Sequence, residues 1–301
     1  MHSRLGDQAV QLSVEEPLAE SAPLAHRLAQ EHCRKDPASG ESCAWYHGFW
    51  QYARLLGLGT SPELHAAFLC EALAGAGSPG KPLRVLIAGA ADYSMLAYVL
   101  AICRASGIRP QVAVADWCET PLLLSRWYAE RVSQPLATFR RNLLEAPEAA
   151  QYDLVCTHAL LGHFRPDERP ALLAGWHRAL RPGGRVVTLN RLRPGAGDGP
   201  ARFTAEQARG FSEAVRRGAE ALRARMPVDP EALARDAARY AERQLSWPVG
   251  SVDELRALFE RAGFTLEHLS AARLAPSGGA PFNVPTVPGS AEYGRVVALK
   301  P

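Results

Sequence analysis

The sequence predicts an α/β fold built on a mostly parallel seven-stranded sheet, and three observations carry that prediction. LRVLIAGA (residues 83–90) is a short, continuous apolar run, the pattern of a strand buried on both faces. From there to residue 190 such runs alternate with helical segments, which implies right-handed crossovers between parallel strands. The C-terminal third ends in two strand-like runs that read as an antiparallel hairpin.

Residues 1–80 come first and read as an N-terminal helical extension, expected to form a lid or dimerisation region. Its helices are LAHRLAQEHCR, CAWYHGFWQYARLLGL and SPELHAAFLCEALAGAG, the last with Ser61 as cap and Pro62 in the first turn. Residues 81–301 form the second region. Its strands are LRVLIAG, QVAVAD, ATFRR, YDLVCTH and GRVVTLN, with helices over residues 95–106, 121–132 and 166–180 between them. Residues 201–244, rich in Ala, Arg and Glu, are longer than an ordinary connection and read as an inserted helical cap. Ser251 starts and Gly263 stops a further helix, and TLEHLSAARL and YGRVVALK supply the hairpin. The connector APSGGAPFNVPTVPGSAEYG, with Pro281 to Pro288 at its centre, holds four prolines and four glycines and is expected to be a loop near the site.

Composition narrows the function. With 47% hydrophobic and 22% charged residues the chain is an ordinary globular protein. A net charge of +3, with arginines scattered among acids, offers no footprint for nucleic acid. The longest apolar run, residues 95–103, is far below the roughly 20 residues of a membrane span. Six cysteines without a C-x-x-C pair and an opening without a signal-like segment point to a reduced, cytoplasmic protein. His32, Cys33, Cys43 and His47 do not have the paired-arm spacing of a structural zinc site, and no metal is expected.

Two features point to a nucleoside. Gly89 and Ala90 form a small-residue turn between a strand and a helix, where backbone amides can approach a ligand. Asp116 ends the next strand, where an acid can accept both ribose hydroxyls, and Trp117 beside it can pack on adenine. Steric need for small residues at the turn and capping by Asp116 are the alternative readings.

On these residues the chain resembles the class I S-adenosylmethionine-dependent methyltransferase family across residues 83 to about 190. VLIAGAADY is similar to the family's first motif, Asp116 stands at its ribose-binding acid, and AQYDLVCTHALLGHF and RALRPGGRVVTLN resemble its fourth and fifth strands. The resemblance implies a Rossmann-like fold, S-adenosylmethionine as cofactor, and binding through Gly89, Ala90, Ala91, Asp92, Asp116, Trp117, Asn142, Leu143, Thr157 and His158. The chain departs from the family opening at Ile87, Ala91 and Tyr93, which leaves Asp92 as a candidate partner for the cofactor's ammonium group.

His163, His158, Tyr46 and His47 are the catalytic candidates. The histidines are proton acceptors near the strand ends, and Tyr46 and His47 sit in an aromatic-dense segment able to shield a sulfonium. The implied activity is methyl transfer to the O, N or C nucleophile of a small molecule, in a specialised biosynthetic pathway, with a homodimer left open. Two alternatives stand: a non-methylating S-adenosylmethionine-binding enzyme and an NAD(P)-dependent oxidoreductase.

Overall fold

The computed structural model describes residues 12–35, 40–145, 150–195, 197, 199–273 and 292–301. The predicted connector at 281–288 lies outside the described residues.

Seven strands form one sheet in the order β3-β2-β1-β4-β5-β7-β6. β1 (Pro82–Ala88) lies at the centre, with β2 (Arg109–Asp116) and β3 (Leu136–Arg140) on one side and β4 (Tyr152–His158) and β5 (Leu180–Leu192) on the other. These five are parallel, whereas β7 (Glu292–Leu299) runs antiparallel to both β5 and β6 (Thr265–Arg273). Parallel pairing with crossover helices and an antiparallel C-terminal hairpin is the predicted Rossmann-like arrangement.

The apolar runs segregate with the two-residue period of a strand. Val85, Ile87, Val112, Val114, Leu154 and Cys156 face one layer, which holds α4 (Ser94–Ala105) and α5 (Glu119–Arg131). Leu86, Ala88, Ala113, Ala115 and Val155 face the other, against α6 (Arg169–Ala179) and α9 (Val252–Arg261). A sheet covered on both faces needs apolar residues at every central position, which is why the strands read as continuous runs.

The N-terminal helices are α1 (Leu18–His32), α2 (Ala44–Leu55) and α3 (Ala66–Ala74), and the cap is α7 (Ala205–Leu222) and α8 (Pro230–Arg243). α1 begins earlier than the sequence suggests and carries Pro23 inside it. Pro62 opens a separate 3-10 turn, Pro62–His65, and Ser61 makes no side-chain cap there. Ser251 does cap α9, accepting from the Glu254 amide. β5 starts before the LRPGG turn, because Leu180 already pairs with Tyr152.

Phe49, Tyr52 and Ala53 of α2 form one apolar core with Phe211 and Val215 of α7 and with Leu233, Ala237 and Tyr240 of α8. The extension and the cap, distant in sequence, thus close over the sheet edge together. Among the described residues no helix is long and apolar enough to cross a membrane.

Candidate active site

β1 ends at Ala88, and Gly89 turns the chain with φ +75°. Its backbone conformation favours glycine, and an added Cβ there would stand 2.5 Å from Leu160 Cδ1 and displace that side chain of the β4 loop. The Gly89 amide donates to the Ala115 carbonyl at 2.8 Å, and the Ala90 amide donates to Asp116 Oδ2 at 2.9 Å. Asp116 Oδ1 accepts the Cys118 amide at 2.7 Å. A carboxylate has about four acceptor positions, so these two amides orient Asp116 without exhausting it. Burial raises its carboxyl above the usual range, against the neighbouring His47 charge and the two amide bonds.

Ala90 lines one cavity and Asp116 a second, and their hydrogen bond joins the two. The first is a small cavity of about 90 Å³. Its walls come from Gly89 to Asp92, the β4 edge at His158 to His163, Tyr46 and Trp50 of α2, Tyr240 of α8, and Trp247 after the cap. Tyr46 stacks between Trp50 (ring centroids 5.7 Å) and Tyr240 (5.8 Å) and meets His163 edge-on at 5.9 Å. The second cavity holds Asp116, Trp117, Cys118, Trp45 and His47.

His163 closes a short 3-10 turn, Leu161–His163, that is fixed from three directions. Asn190 Oδ1 accepts the Leu161 amide at 3.1 Å, and the Trp247 amide donates to the Gly162 carbonyl at 2.8 Å. The buried Arg169 donates to the carbonyls of Leu161, Trp247 and Pro248. His163 is exposed to solvent and presents its ring to the cavity, where the crowding of protein atoms and then the charge of His47 lower its pKa; burial lowers the half-buried His158 to about 4, and His158 Nε2 has no hydrogen-bond partner. Both rings are neutral at pH 7 and can accept a proton. The Tyr46 phenol is pushed upward, chiefly by burial, and stays protonated.

Several predicted residues stand elsewhere. Asp92 is 3% exposed, and its Oδ2 accepts from Trp50 Nε1, Gln51 Nε2 and Arg54 Nη1 while Oδ1 accepts the Ser94 amide. Its carboxylate is committed to protein donors, so it pins α2 to the turn instead of offering a free partner to an ammonium group. Thr157 points into the sheet, its Oγ1 3.1 Å from Thr188 Oγ1. Asn142 Oδ1 accepts the Leu144 amide at 3.1 Å and caps its own turn, while Leu143 packs against the core beneath α6. Trp117 remains 47% exposed with the Arg34 guanidinium 3.6 Å from its ring centroid. His47 faces away from the first cavity, its Nδ1 3.5 Å from Cys33 Sγ within a group that also includes Cys43 and Cys118. The set weighed for zinc in the sequence held Cys33, Cys43 and His47 with His32, whereas the structure brings Cys118 to them instead.

Other lining residues carry no sequence motif. Arg191, near the end of β5 and paired with Tyr293 of β7, and Arg193, just beyond it, line the first cavity. Burial and the Arg191 charge lower Arg193 to about 10, still cationic at pH 7. Tyr240 is legible in part, because Leu233, Ala237 and Tyr240 mark the apolar stripe of α8.

No family model and no curated protein matches the chain. Among solved structures, a protein described as a possible exported protein from Bordetella parapertussis is similar over 93% of this chain and 79% of its own, with 16% identity and a TM-score of 0.50. The 1,6-didemethyltoxoflavin N1-methyltransferase of Burkholderia thailandensis, solved with S-adenosylhomocysteine, aligns over 97% and 93% of the two chains with 20% identity and a TM-score of 0.47. An S-adenosylmethionine-dependent methyltransferase from Methanosarcina mazei aligns over 73% and 92% with 13% identity and a TM-score of 0.45. At these identities the likeness is one of fold.

Proposed function

We propose that the chain is a class I S-adenosylmethionine-dependent methyltransferase acting on a small molecule. The observation that carries this reading is the hydrogen bond from the Ala90 amide to Asp116 at the carboxyl edge of the sheet, where ligands of open α/β folds bind. It sets a ribose-accepting carboxylate beside a glycine turn that opens α4, with an enclosed cavity on the far side. The donor's nucleoside would lie against Asp116 and Trp117, and its amino-acid tail beside Gly89, Ala90 and Ala91.

When bound, S-adenosylmethionine supplies an electrophilic methyl group for in-line displacement, so the protein's tasks are alignment, exclusion of water and, for a hydroxyl acceptor, proton removal. Tyr46, Trp50, Tyr240 and Trp247 suit a planar or apolar acceptor, and their ring faces favour a neighbouring cation. Arg191 and Arg193 suit an acidic group on that acceptor. In this reading His163 and His158, which line the cavity and are neutral at pH 7, would take its proton. α1–α3 and the 201–244 cap form the lid in this reading, and specialised biosynthesis in the cytoplasm, with no nucleic-acid or membrane partner, is the setting it fits.

Calorimetric titration with S-adenosylhomocysteine and, separately, NAD tests the proposal. Binding of the first is expected, with Asp116→Ala weakening it about tenfold or more, since a hydrogen bond to a charged group contributes roughly 1.5–3 kcal/mol. Binding of NAD alone would instead identify a dehydrogenase.

A further inference from the structure

Four ligand-bearing side chains from three chain segments converge below Asp116. Cys33 follows α1, Cys43 caps α2, His47 lies in the first turn of α2, and Cys118 caps α5. Cys33 Sγ is 3.6 Å from Cys118 Sγ and 3.5 Å from His47 Nδ1, and Cys43 Sγ is 3.6 Å from Cys118 Sγ. One ligand atom from each residue lies within 4.8 Å of the other three.

Those distances discriminate between readings. A disulfide needs sulfurs about 2.05 Å apart, and none of these pairs approaches that. Tetrahedral zinc, with bonds of about 2.3 Å to sulfur and 2.0–2.1 Å to nitrogen, sets sulfur–sulfur edges of about 3.7 Å and sulfur–nitrogen edges of about 3.5 Å. Three of the six edges, at 3.5–3.6 Å, match this polyhedron, and all six fall within 4.8 Å. Thr120 Oγ1, 3.2 Å from Cys33 Sγ, adds the kind of hydroxyl contact that orients a ligating sulfur.

We propose that Cys33, Cys43, His47 and Cys118 form a closed Cys3His site for one zinc ion. Four protein ligands leave no open position, so the site is structural and not hydrolytic. Binding displaces the protons held by the three thiols and by the His47 ring, which ligates as the neutral imidazole. The ion would tie the α1–α2 hairpin, closed by the Lys35–Ser42 bridge and the Cys43 amide on the Arg34 carbonyl, to the β2–α5 loop. That loop carries Asp116, whose Oδ1 accepts the Cys118 amide, so the metal would also hold the acid in place. This last consequence rests on the methyl-donor reading, whereas the metal site does not.

The test is metal analysis of the full-length protein purified with zinc present under reducing conditions, followed by titration of metal-free protein with cobalt chloride. About one zinc per chain is expected, together with cobalt spectra of tetrahedral, thiolate-ligated type. Cys118→Ser and His47→Gln should lose both signals while Cys70→Ser, outside the cluster, keeps them. The wild-type measurements stand even if a cluster variant fails to fold. Substoichiometric zinc with no thiolate–cobalt band, or a disulfide among the three cysteines, overturns the proposal. Parallel titration with S-adenosylhomocysteine separates the two claims: zinc without nucleoside affinity refutes the function alone, and nucleoside affinity without metal refutes the site alone.

Discussion

Arg54 and Asp92 form a buried ion pair, Nη1 to Oδ2 at 3.0 Å, that joins α2 to the turn after β1. Glu16 holds the other end of the guanidinium. Burial alone would raise the Asp92 carboxyl, but the Arg54 charge and the Ser94 hydrogen bonds outweigh it and hold it below its usual range. α2 is therefore fastened to the turn after β1 by a charge network whose members depend on one another.

Removing one partner should be costly. Asp92→Asn leaves Arg54 short of a counter-charge inside the protein, and a loss of about 3–5 kcal/mol in urea unfolding is expected. The Arg54→Met, Asp92→Asn double variant should lose less than the sum of the singles. A single-variant cost below about 1 kcal/mol would mean the pair is solvated in solution.

The buried histidines set a pH dependence. His65, 1% exposed, is lowered to about 3 by burial, and the half-buried His158 to about 4, both below the unfolded value near 6.5. Below pH 6.5 the unfolded chain takes up these protons and the folded chain does not. Stability should thus be full above pH 6.5 and fall toward pH 4, with a slope of up to about 1.4 kcal/mol per pH unit for each histidine. His65→Phe should flatten the slope of a urea-denaturation series; an unchanged slope would show that His65 titrates normally.

Gly89→Ala should cost about 1–2 kcal/mol for the left-handed backbone alone. The Leu160 side chain can move from the added methyl group, but the Ala90 amide moves with the strained turn. Weaker S-adenosylhomocysteine binding should accompany the lower Tm. Unchanged affinity would separate the turn from the ligand.

Tyr240 joins α8 to α2 and α7, packed against Phe49, Phe211 and Tyr46. Tyr240→Ala should lower stability by about 3–5 kcal/mol and open α8 to limited proteolysis, whereas Tyr240→Phe should keep the packing. If cleavage of the alanine variant begins in α4 instead, the cap does not unfold first.

The sheet was legible because its signals are local. LRVLIAG and YDLVCTH announce doubly buried strands, and the turn at Gly89 and the acid at Asp116 follow from strand ends. Side-chain direction was not legible in the same way. Thr157 and His158 are adjacent, yet one faces Thr188 inside the sheet and the other the cavity. Asp92 sits in the right turn, but its partners arrive from α2, some forty positions upstream, where sequence gives no register. The cysteine cluster escaped for the same reason. Cys43 and His47 make one arm on a helix, but Cys33 and Cys118 come from the ends of α1 and α5, and only the tertiary fold brings them together.

A crystal structure of the protein with S-adenosylhomocysteine tests the central claim most directly. The ribose hydroxyls should lie within hydrogen-bonding distance of the Asp116 carboxylate, with the amino-acid tail beside Gly89 and the sulfur facing the cavity of Tyr46 and His163. A nucleoside bound elsewhere, or none bound at saturating ligand while Asp116 contacts only the Ala90 and Cys118 amides, would contradict the account.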